Sequence, residues 1–305
     1  MNPDGDAIGS LTGLGMALRS LAKSVTMLSP TVPIPPSLTF LPGRDEIVSA
    51  AAGRYDLIIV LDSSDMDRLD RSYDEAIFAG TPLINIDHHF TNTNYGSVNW
   101  VVPGAASTSE LALELVQALG VRLDSAIATS LLTGITTDTL GFRTSSTNAH
   151  TLRSAADLMD AGASLPDIVE QVYNAKPLGV ARIWGEALQN LRSEGGLVWA
   201  AVTREMLQRH QSDPEEVKGL VSFLRGTQGT DISVLFIENG NGDGRPKVKV
   251  EFRASRHASV AEVAARLGGG GHRAASGCTL SGEMAAVQQR VLAEARKALP
   301  YRDRA

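Results

Sequence analysis

The chain has 305 residues, enough for two domains of ordinary size. Its formal net charge of -6 argues against a protein that grips long nucleic acid, because such proteins normally carry a broad basic surface. Cys278 is the only cysteine, so an intramolecular disulfide is excluded and a reducing compartment is favoured. Neither an export-signal pattern nor a run of about 18 apolar residues occurs, so we expect a cytoplasmic protein without a membrane span.

Strands and helices alternate in the first half of the chain, which is typical of a doubly wound, mainly parallel α/β sheet. Predicted strands lie near 23–28, 55–61 and 82–86, with predicted helices near 9–21, 44–52, 107–119, 124–136 and 148–161. A helical connector is expected over 164–194, since Pro166 stands early in the first turn of a helical pattern.

A second alternation follows and predicts a smaller α/β domain with a mixed sheet. Its predicted strands lie near 197–202, 232–238, 248–253 and 278–280, and its predicted helices near 203–210, 213–225, 258–267 and 283–299. The expected organisation is therefore one domain over 1–163, the connector over 164–194 and a second domain over 195–305.

Acidic residues and histidines stand at the ends of buried-looking segments in four places. These are Asp4 and Asp6 before the first helix, Asp62 after the apolar strand 55–61, Asp87-His88-His89 after the apolar run 83–86, and Asp138 at the end of an apolar helical run. Any one of them could be a helix cap or a turn former. Four together favour a metal site at the carboxyl ends of the strands, because Asp and neutral His are ligands that Mn²⁺ accepts.

A glycine run, Gly268–Gly271, precedes His272 in the second half of the chain. Composition alone would make this run a flexible linker. Its place between a predicted helix and a predicted strand favours a second interpretation, in which backbone amides surround a phosphate and His272 donates to the same anion.

In their order these motifs resemble the DHH-superfamily phosphoesterases. The likeness is to the NrnA-like oligoribonucleases and pAp phosphatases, which are similar to the catalytic core of RecJ exonucleases and carry a DHHA1 second domain. It covers essentially the whole chain and rests on five motifs: Pro3 to Ser10, Asp62, Asp87-His88-His89, Thr133 to Thr139, and Gly268 to Gly277. The resemblance implies a catalytic first domain and a substrate-binding second domain with a cleft between them.

The resemblance also implies a role for each site residue. A centre of two divalent ions would offset charge on an in-line phosphoryl transition state. Asp62 would bridge the ions, Asp6, His88 and Asp138 would complete the second ion's ligands, and Asp4 would hold the first ion. His89 would donate to a phosphate oxygen, and Asp87 would orient a histidine. Arg253, Gly269, Gly270, Gly271 and His272 would bind the substrate.

One departure from the family pattern concerns the first ion. Family members carry a histidine in the pattern H-x-x-P-D-G-D, delivered by an apolar strand, and its position would lie just before Met1. We expect a true start codon upstream, because losing a central parallel strand would expose unpaired backbone groups and leave an apolar groove. The alternative is a variant that lacks one ligand and holds one ion weakly.

The expected function is Mn²⁺-dependent hydrolysis of short single-stranded oligonucleotides, from dinucleotides to pentamers, to mononucleotides, with pAp as a second substrate. One alternative is a phosphodiesterase acting on cyclic dinucleotides or on linear pApA and pGpG. An alternative of another class is a metal-deficient nucleotide-binding protein. We expect no channel for a long polymer and no membrane contact, and a homodimer is compatible with this prediction.

Overall fold

The computed structural model describes residues 3–239 and 246–300, and the chain divides into two compact units, Met1–Ala175 and Lys176–Ala305. The first unit holds a parallel sheet and the second a separate mixed sheet, which confirms the predicted α/β fold class. Within the described residues, no helix is both long and apolar enough to cross a bilayer.

The first unit contains six helices and five strands among its described residues. In chain order they are α1 (Gly5–Ser20), β1 (Met27–Leu28), β2 (Ile47–Val48), β3 (Ile58–Leu61), α2 (Glu75–Phe78), β4 (Leu83–Asp87), β5 (Val98–Val101), α3 (Thr108–Ala118), α4 (Ser125–Asp138), α5 (Ala149–Asp160) and α6 (Leu165–Val169). β3, β4 and β5 form a parallel sheet in that order, and β1 pairs with β2 in a separate parallel pair.

Side-chain caps fix where the main helices of this unit begin. Asp4 accepts hydrogen bonds from the first turn of α1, and Ser107, Asp124 and Asn148 do the same for α3, α4 and α5. Each cap satisfies a backbone N–H that the helix itself cannot pair. The predicted helices near 107–119, 124–136 and 148–161 are confirmed to within two residues at each end.

Helices α1 and α4 approach closely because glycines replace side chains at their crossing. A Cβ added to Gly9 would lie 2.5 Å from the Ser130 carbonyl oxygen, and one added to Gly13 would lie 2.6 Å from a Leu131 methyl carbon. Fully buried Leu131 and Leu132 fill the space around the crossing. The same helices carry Asp6 and Asp138 at their ends, so this packing sets the distance between the two carboxylates.

One prediction for the first unit was wrong, and one strand was missed. The predicted helix near 44–52 is a single 3-10 turn, Arg44–Glu46, followed by strand β2. Ile47 is buried in β2 against the core around Met27, so tertiary packing overrides any local helical preference. Strand β5 was not predicted, since it is short and its polar and apolar residues do not alternate with burial.

An apolar groove of about 200 Å³ lies along the open edge of β3 in the first unit. Its apolar lining includes Leu28, Ile59, Leu61 and Phe78, and its polar end reaches Asp62. Strand β3 pairs with β4 on its other side, and in a parallel ladder alternate amides point away from the partner.

The second unit contains a six-stranded sheet among its described residues. In chain order its elements are α7 (Leu178–Gln189), β6 (Arg192–Glu194), β7 (Leu197–Val202), α8 (Arg204–Arg209), α9 (Gly219–Arg225), β8 (Ile232–Asn239), β9 (Lys247–Ala254), α10 (Ala261–Arg266), β10 (Gly270–Gly271), β11 (Ala275–Ser281) and α11 (Met284–Lys297). The strand order is β10-β11-β9-β8-β7-β6, and only the β7–β8 pair of this sheet is parallel. Helices α8 and α9 supply the crossover that a parallel pair requires.

Helices cover both faces of this mixed sheet. Along β8, Val234 and Phe236 enter one hydrophobic core, and Leu235 and Ile237 enter the core on the opposite face. Residues 164–194, which the sequence predicts to be a helical connector, contain helices of both units and end in β6, which belongs to the mixed sheet.

Candidate metal centre

Helix and strand ends of the first unit bring the predicted acidic residues and histidines together. Nε2 of His88 lies 3.5 Å from Oδ2 of Asp138, 3.7 Å from Oδ1 of Asp62 and 3.9 Å from Oδ2 of Asp6. Asp62 and His88 follow neighbouring parallel strands, and Asp6 and Asp138 lie on the two helices that cross at Gly9. The ligand atoms of Asp6, His88 and Asp138 all lie within 4.8 Å of one another, close enough to share one cation.

Asp4 stands at the exposed entrance of this cluster. Its Oδ1 accepts hydrogen bonds from the amides of Asp6 and Ala7, each at 3.1 Å, so the carboxylate also caps helix α1. The predicted alternatives for Asp4, a helix cap and a metal ligand, are therefore compatible, since its second oxygen takes no part in the cap.

The N-terminus of α3 holds the Asp6 carboxylate in place. The amide of Thr108 donates to Oδ2 of Asp6 at 2.6 Å, and the amide of Ser109 donates to Oδ1 at 2.8 Å. The Thr108 hydroxyl also donates to Oδ1 of Asp62 at 3.1 Å. Because helix N-termini favour anions, α3 fixes both carboxylates with their oxygens turned toward His88.

Thr108 and Ser109 were not singled out from the sequence. Their main contribution is a backbone N–H, which any residue except proline carries. The available signal was Ser107, which caps α3 and so marks a helix N-terminus that can bind an anion.

Burial and mutual repulsion perturb the carboxylates of this cluster. Burial, with the neighbouring carboxylates of Asp6 and Asp4, raises the pKa of Asp62 well above its usual value. Burial also raises the pKa of Asp138 to about 8, with Asp6 adding to the shift and His88 opposing it. Burial opposes a charge on His88, but Asp6 and Asp138 outweigh it and raise the pKa of the imidazole. Like charges confined in this way are stabilised by a cation, so the donor set fits a divalent metal ion.

His88 presents the ring nitrogen that a metal ligand needs. Its Nδ1 lies 3.3 Å from the carbonyl oxygen of Ala105, which can only accept, so Nδ1 carries the proton. The lone pair of the neutral ring is then on Nε2, the atom that faces Asp6, Asp62 and Asp138.

Asp87 orients His89. The Asp87 side chain is fully buried, and its Oδ1 lies 2.7 Å from Nδ1 of His89 and accepts from the amides of His88 and His89 at 2.8 and 3.2 Å. Burial alone would raise the pKa of Asp87, but these hydrogen bonds outweigh it and hold the pKa below its usual value. Asp87 therefore bonds to the neighbouring His89, whose Nδ1 also lies 3.6 Å from Oδ1 of Asp62.

Arg253, the predicted phosphate clamp, lies in the second unit on strand β9. Its side chain is 21% exposed, and Nη1 donates to the Phe252 carbonyl at 2.8 Å and lies 3.8 Å from Oε2 of Glu251. Its buried Nε has no hydrogen-bond partner among the described residues. Burial lowers the pKa of this guanidinium, and Glu251 partly opposes the shift.

The glycine run is a tight hairpin rather than a flexible linker. Gly270–Gly271 forms β10 against β11, and the His272 amide donates to the Ala275 carbonyl at 2.7 Å. A Cβ at Gly269 would lie 2.1 Å from the Gly277 carbonyl oxygen, and one at Gly271 would lie 2.6 Å from the Ser276 Cα. Close packing against β11 explains these two glycines, whereas Gly270 has open space beside it.

Each unit matches a known domain family. Residues 1–135 match the DHH family, N-terminal domain, and residues 196–299 match the DHHA1 domain.

The chain is also similar to curated and solved proteins along most of its length. It is 33% identical over 309 residues, 98% of this chain and 88% of the relative, to the "Bifunctional oligoribonuclease and PAP phosphatase NrnA" of Thermus thermophilus. A more distant relative, the "Cyclic-di-AMP phosphodiesterase GdpP" of Geobacillus thermodenitrificans, is 27% identical over 72% of this chain and 32% of its own. The solved structure of an exopolyphosphatase-related protein from Bacteroides fragilis superposes with a TM-score of 0.86 at 26% identity, covering 97% of this chain and 89% of that one.

Proposed function

Because the chain belongs to the DHH family and carries a DHHA1 second domain, we propose that it is a metal-dependent phosphoesterase that hydrolyses short oligoribonucleotides to mononucleotides and dephosphorylates pAp. The observation that carries this proposal is the placement of three carboxylates, those of Asp6, Asp62 and Asp138, at 3.5 to 3.9 Å from Nε2 of His88. That placement supports an enzyme over a metal-deficient nucleotide-binding protein. A cytoplasmic location is part of the proposal.

Mn²⁺ is the proposed metal, since carboxylate oxygens and imidazole are the ligands present. Asp6, Asp62, His88 and Asp138 would form one strong site, and Asp4 with Asp62 would form a weaker one. Two bound ions would stabilise the attacking and leaving oxygens of an in-line displacement at phosphorus.

His89 would act in catalysis by binding a phosphate oxygen. Its Nδ1 is engaged by Asp87, so the hydrogen bond to the phosphate would come from Nε2.

The second unit supplies the proposed substrate contacts. Among the described residues the buried Nε–H of Arg253 has no hydrogen-bond partner, and a phosphate oxygen would satisfy it. Gly270 leaves open space beside the hairpin. The predicted role of the Gly269 and His272 amides is corrected, because they donate to the carbonyls of Ala264 at 2.8 Å and Ala275 at 2.7 Å. The proposed phosphate contacts of this hairpin are therefore Gly270, Gly271 and the His272 side chain. A net charge of -6 suits a substrate with few phosphates better than a long polymer.

A rate comparison tests the proposal. Purified protein with Mn²⁺ is incubated with a labelled dinucleotide, a pentanucleotide, a long single strand, pAp and cyclic di-AMP, and products are resolved by chromatography. We expect mononucleotides from the short substrates, adenosine monophosphate from pAp, and no product when the metal is chelated or Asp62 is replaced by Asn.

Other product patterns would contradict this assignment. The similarity to a cyclic-di-AMP phosphodiesterase favours the cyclic dinucleotide as second candidate substrate, and faster turnover of it than of dinucleotides would replace our assignment. Equal rates on the pentanucleotide and the long strand would contradict the preference for short substrates.

A further inference from the structure

The side-chain amide of Asn92 lies between the ends of strands β3 and β4. Its Nδ2 is 2.6 Å from Oδ2 of Asp87, 3.1 Å from Oδ1 of Asn85 and 3.2 Å from the carbonyl oxygen of Ser63. Its own Oδ1 accepts from the amide of Asn94 at 2.7 Å. Both the nitrogen and the oxygen of this amide are therefore engaged. The acceptors of its N–H groups follow β3, in the case of Ser63, and lie on β4, in the case of Asn85 and Asp87.

One of these contacts fixes the backbone that follows Asp62. Asp62 has φ 56°, in the left-handed region, which is strained for a residue that carries a side chain. The next carbonyl, that of Ser63, accepts from Asn92 at 3.2 Å, from Asn85 Nδ2 at 3.3 Å and from the Tyr95 hydroxyl at 2.9 Å. Three donors from β4 and the segment after it thus hold the peptide between Ser63 and Ser64, one residue beyond Asp62.

A second contact of Asn92 completes the hydrogen bonding of Asp87. Oδ1 of Asp87 is engaged by His89 and by two backbone amides, and Asn92 donates to the remaining Oδ2. The carboxylate cannot rotate without breaking bonds on both oxygens. His89 is therefore held at the distance from Asp62 that the structure shows, 3.6 Å from Nδ1 to Oδ1.

We propose that Asn92 is a positioning residue that sets the separation between the Asp62 carboxylate, which follows β3, and the two histidines that follow β4. The inference rests on the proposed function, since the residues that it positions are the proposed metal ligands and phosphate donor. Asn92 itself touches neither the substrate nor the ion in this account.

Three substitutions and one control test this role. Asn92→Asp keeps the shape but turns the donor into an oxygen facing Asp87, and Asn92→Ala removes the group. Tyr95→Phe deletes one of the three donors to the Ser63 carbonyl. Asn99→Ala is the matched control, because the Asn99 amide bonds to Gly96 in an exposed turn.

For each variant, calorimetry measures the Mn²⁺ affinity, and steady-state assays on a dinucleotide measure kcat and KM. Thermal unfolding of the metal-free protein measures stability. Both Asn92 variants should lose about 10- to 100-fold in Mn²⁺ affinity or kcat. A loss of this size is usual when a hydrogen-bond partner that orients the residues of a metal site is removed. KM should change by less than about threefold, since no substrate contact is lost. Tyr95→Phe should show a smaller loss of the same kind, and Asn99→Ala should match the wild type.

Two results would overturn the positioning role. One is wild-type Mn²⁺ affinity and kcat in both Asn92 variants. The other is a loss of activity that follows the unfolded fraction, with kcat per folded molecule unchanged, because that pattern marks a purely structural residue. If the wild-type protein cleaved none of the phosphoesters, the proposed function would fail, and the Mn²⁺ affinities of the variants would still decide the role of Asn92.

Discussion

Substituting Gly9 by alanine should push helices α1 and α4 apart and weaken the metal centre that they carry. The added Cβ would lie 2.5 Å from the Ser130 carbonyl oxygen and 2.9 Å from the Gly134 nitrogen. Both are backbone atoms of α4, so neither can rotate away. Reaching an ordinary contact of 3.4 Å from 2.5 Å requires the helices to separate by about 0.9 Å.

The expected cost follows from two opposing effects. Overpacking a tight contact costs about 1 to 3 kcal/mol, and backbone-to-backbone contact places Gly9→Ala at the upper end. Alanine is better than glycine in a helix by about 1 kcal/mol, which leaves a net loss of about 2 kcal/mol. For a unit of this size that corresponds to a fall of about 4 to 8 °C in Tm. Since catalytic groups must be held to about 0.5 Å, Mn²⁺ affinity should fall as well.

Calorimetry of the metal-free protein and Mn²⁺ titration measure the two effects. Gly185→Ala is the matched control, because Gly185 lies inside helix α7 and its added Cβ would meet open space. That control should gain about 0.5 to 1 kcal/mol and keep its Mn²⁺ affinity. A Gly9→Ala protein as stable as the wild type, with unchanged Mn²⁺ affinity, would refute the close crossing.

Three further outcomes are expected. Asp62→Asn should lower kcat by more than the roughly 10- to 100-fold that is typical when a group bonded to a metal ligand is removed, because the proposed bridging carboxylate would serve both ions. Activity near that of the wild type would contradict the bridging role. In the metal-free protein the free energy of unfolding should fall as pH rises from about 4 to about 8, because the pKa of Asp138 is about 8 in the folded state and about 3.9 in the unfolded state. The slope should reach up to about 1.4 kcal/mol per pH unit for each proton that the folded state retains and the unfolded state has lost. The raised pKa of His88 acts in the same direction, and urea unfolding at several pH values in chelator measures the slope, which a flat profile would disprove. Arg253→Ala should raise KM for dinucleotides with a smaller change in kcat in steady-state assays. Arg296→Ala is the control, because Arg296 forms an exposed ion pair with Glu194, and it should change neither constant. If the two variants had the same KM, Arg253 would not be a phosphate clamp.

The sequence by itself determined the strands and helices that deliver the site residues. Strands β3 and β4 follow from apolar runs that end in charge, and parallel strands bring their carboxyl ends to one edge of a sheet. Asp62 and His88 could therefore be predicted to lie together. The ordered motifs also identified the family, which the matches to the DHH and DHHA1 domains confirm.

Tertiary structure alone decided how the site is held. The donors to Asp6 are backbone amides of α3. Every residue except proline carries such an N–H, so no residue type in the sequence identifies these donors. Asp62 has a left-handed backbone, and the Ser63 carbonyl just beyond it accepts from donors on another strand and the segment after that strand. Similarly, residues 44–48 form a turn and a strand because Ile47 is buried against Met27, a contact between residues distant in the chain. Local pattern fixes which residues reach the site, whereas long-range packing and backbone hydrogen bonds fix their geometry.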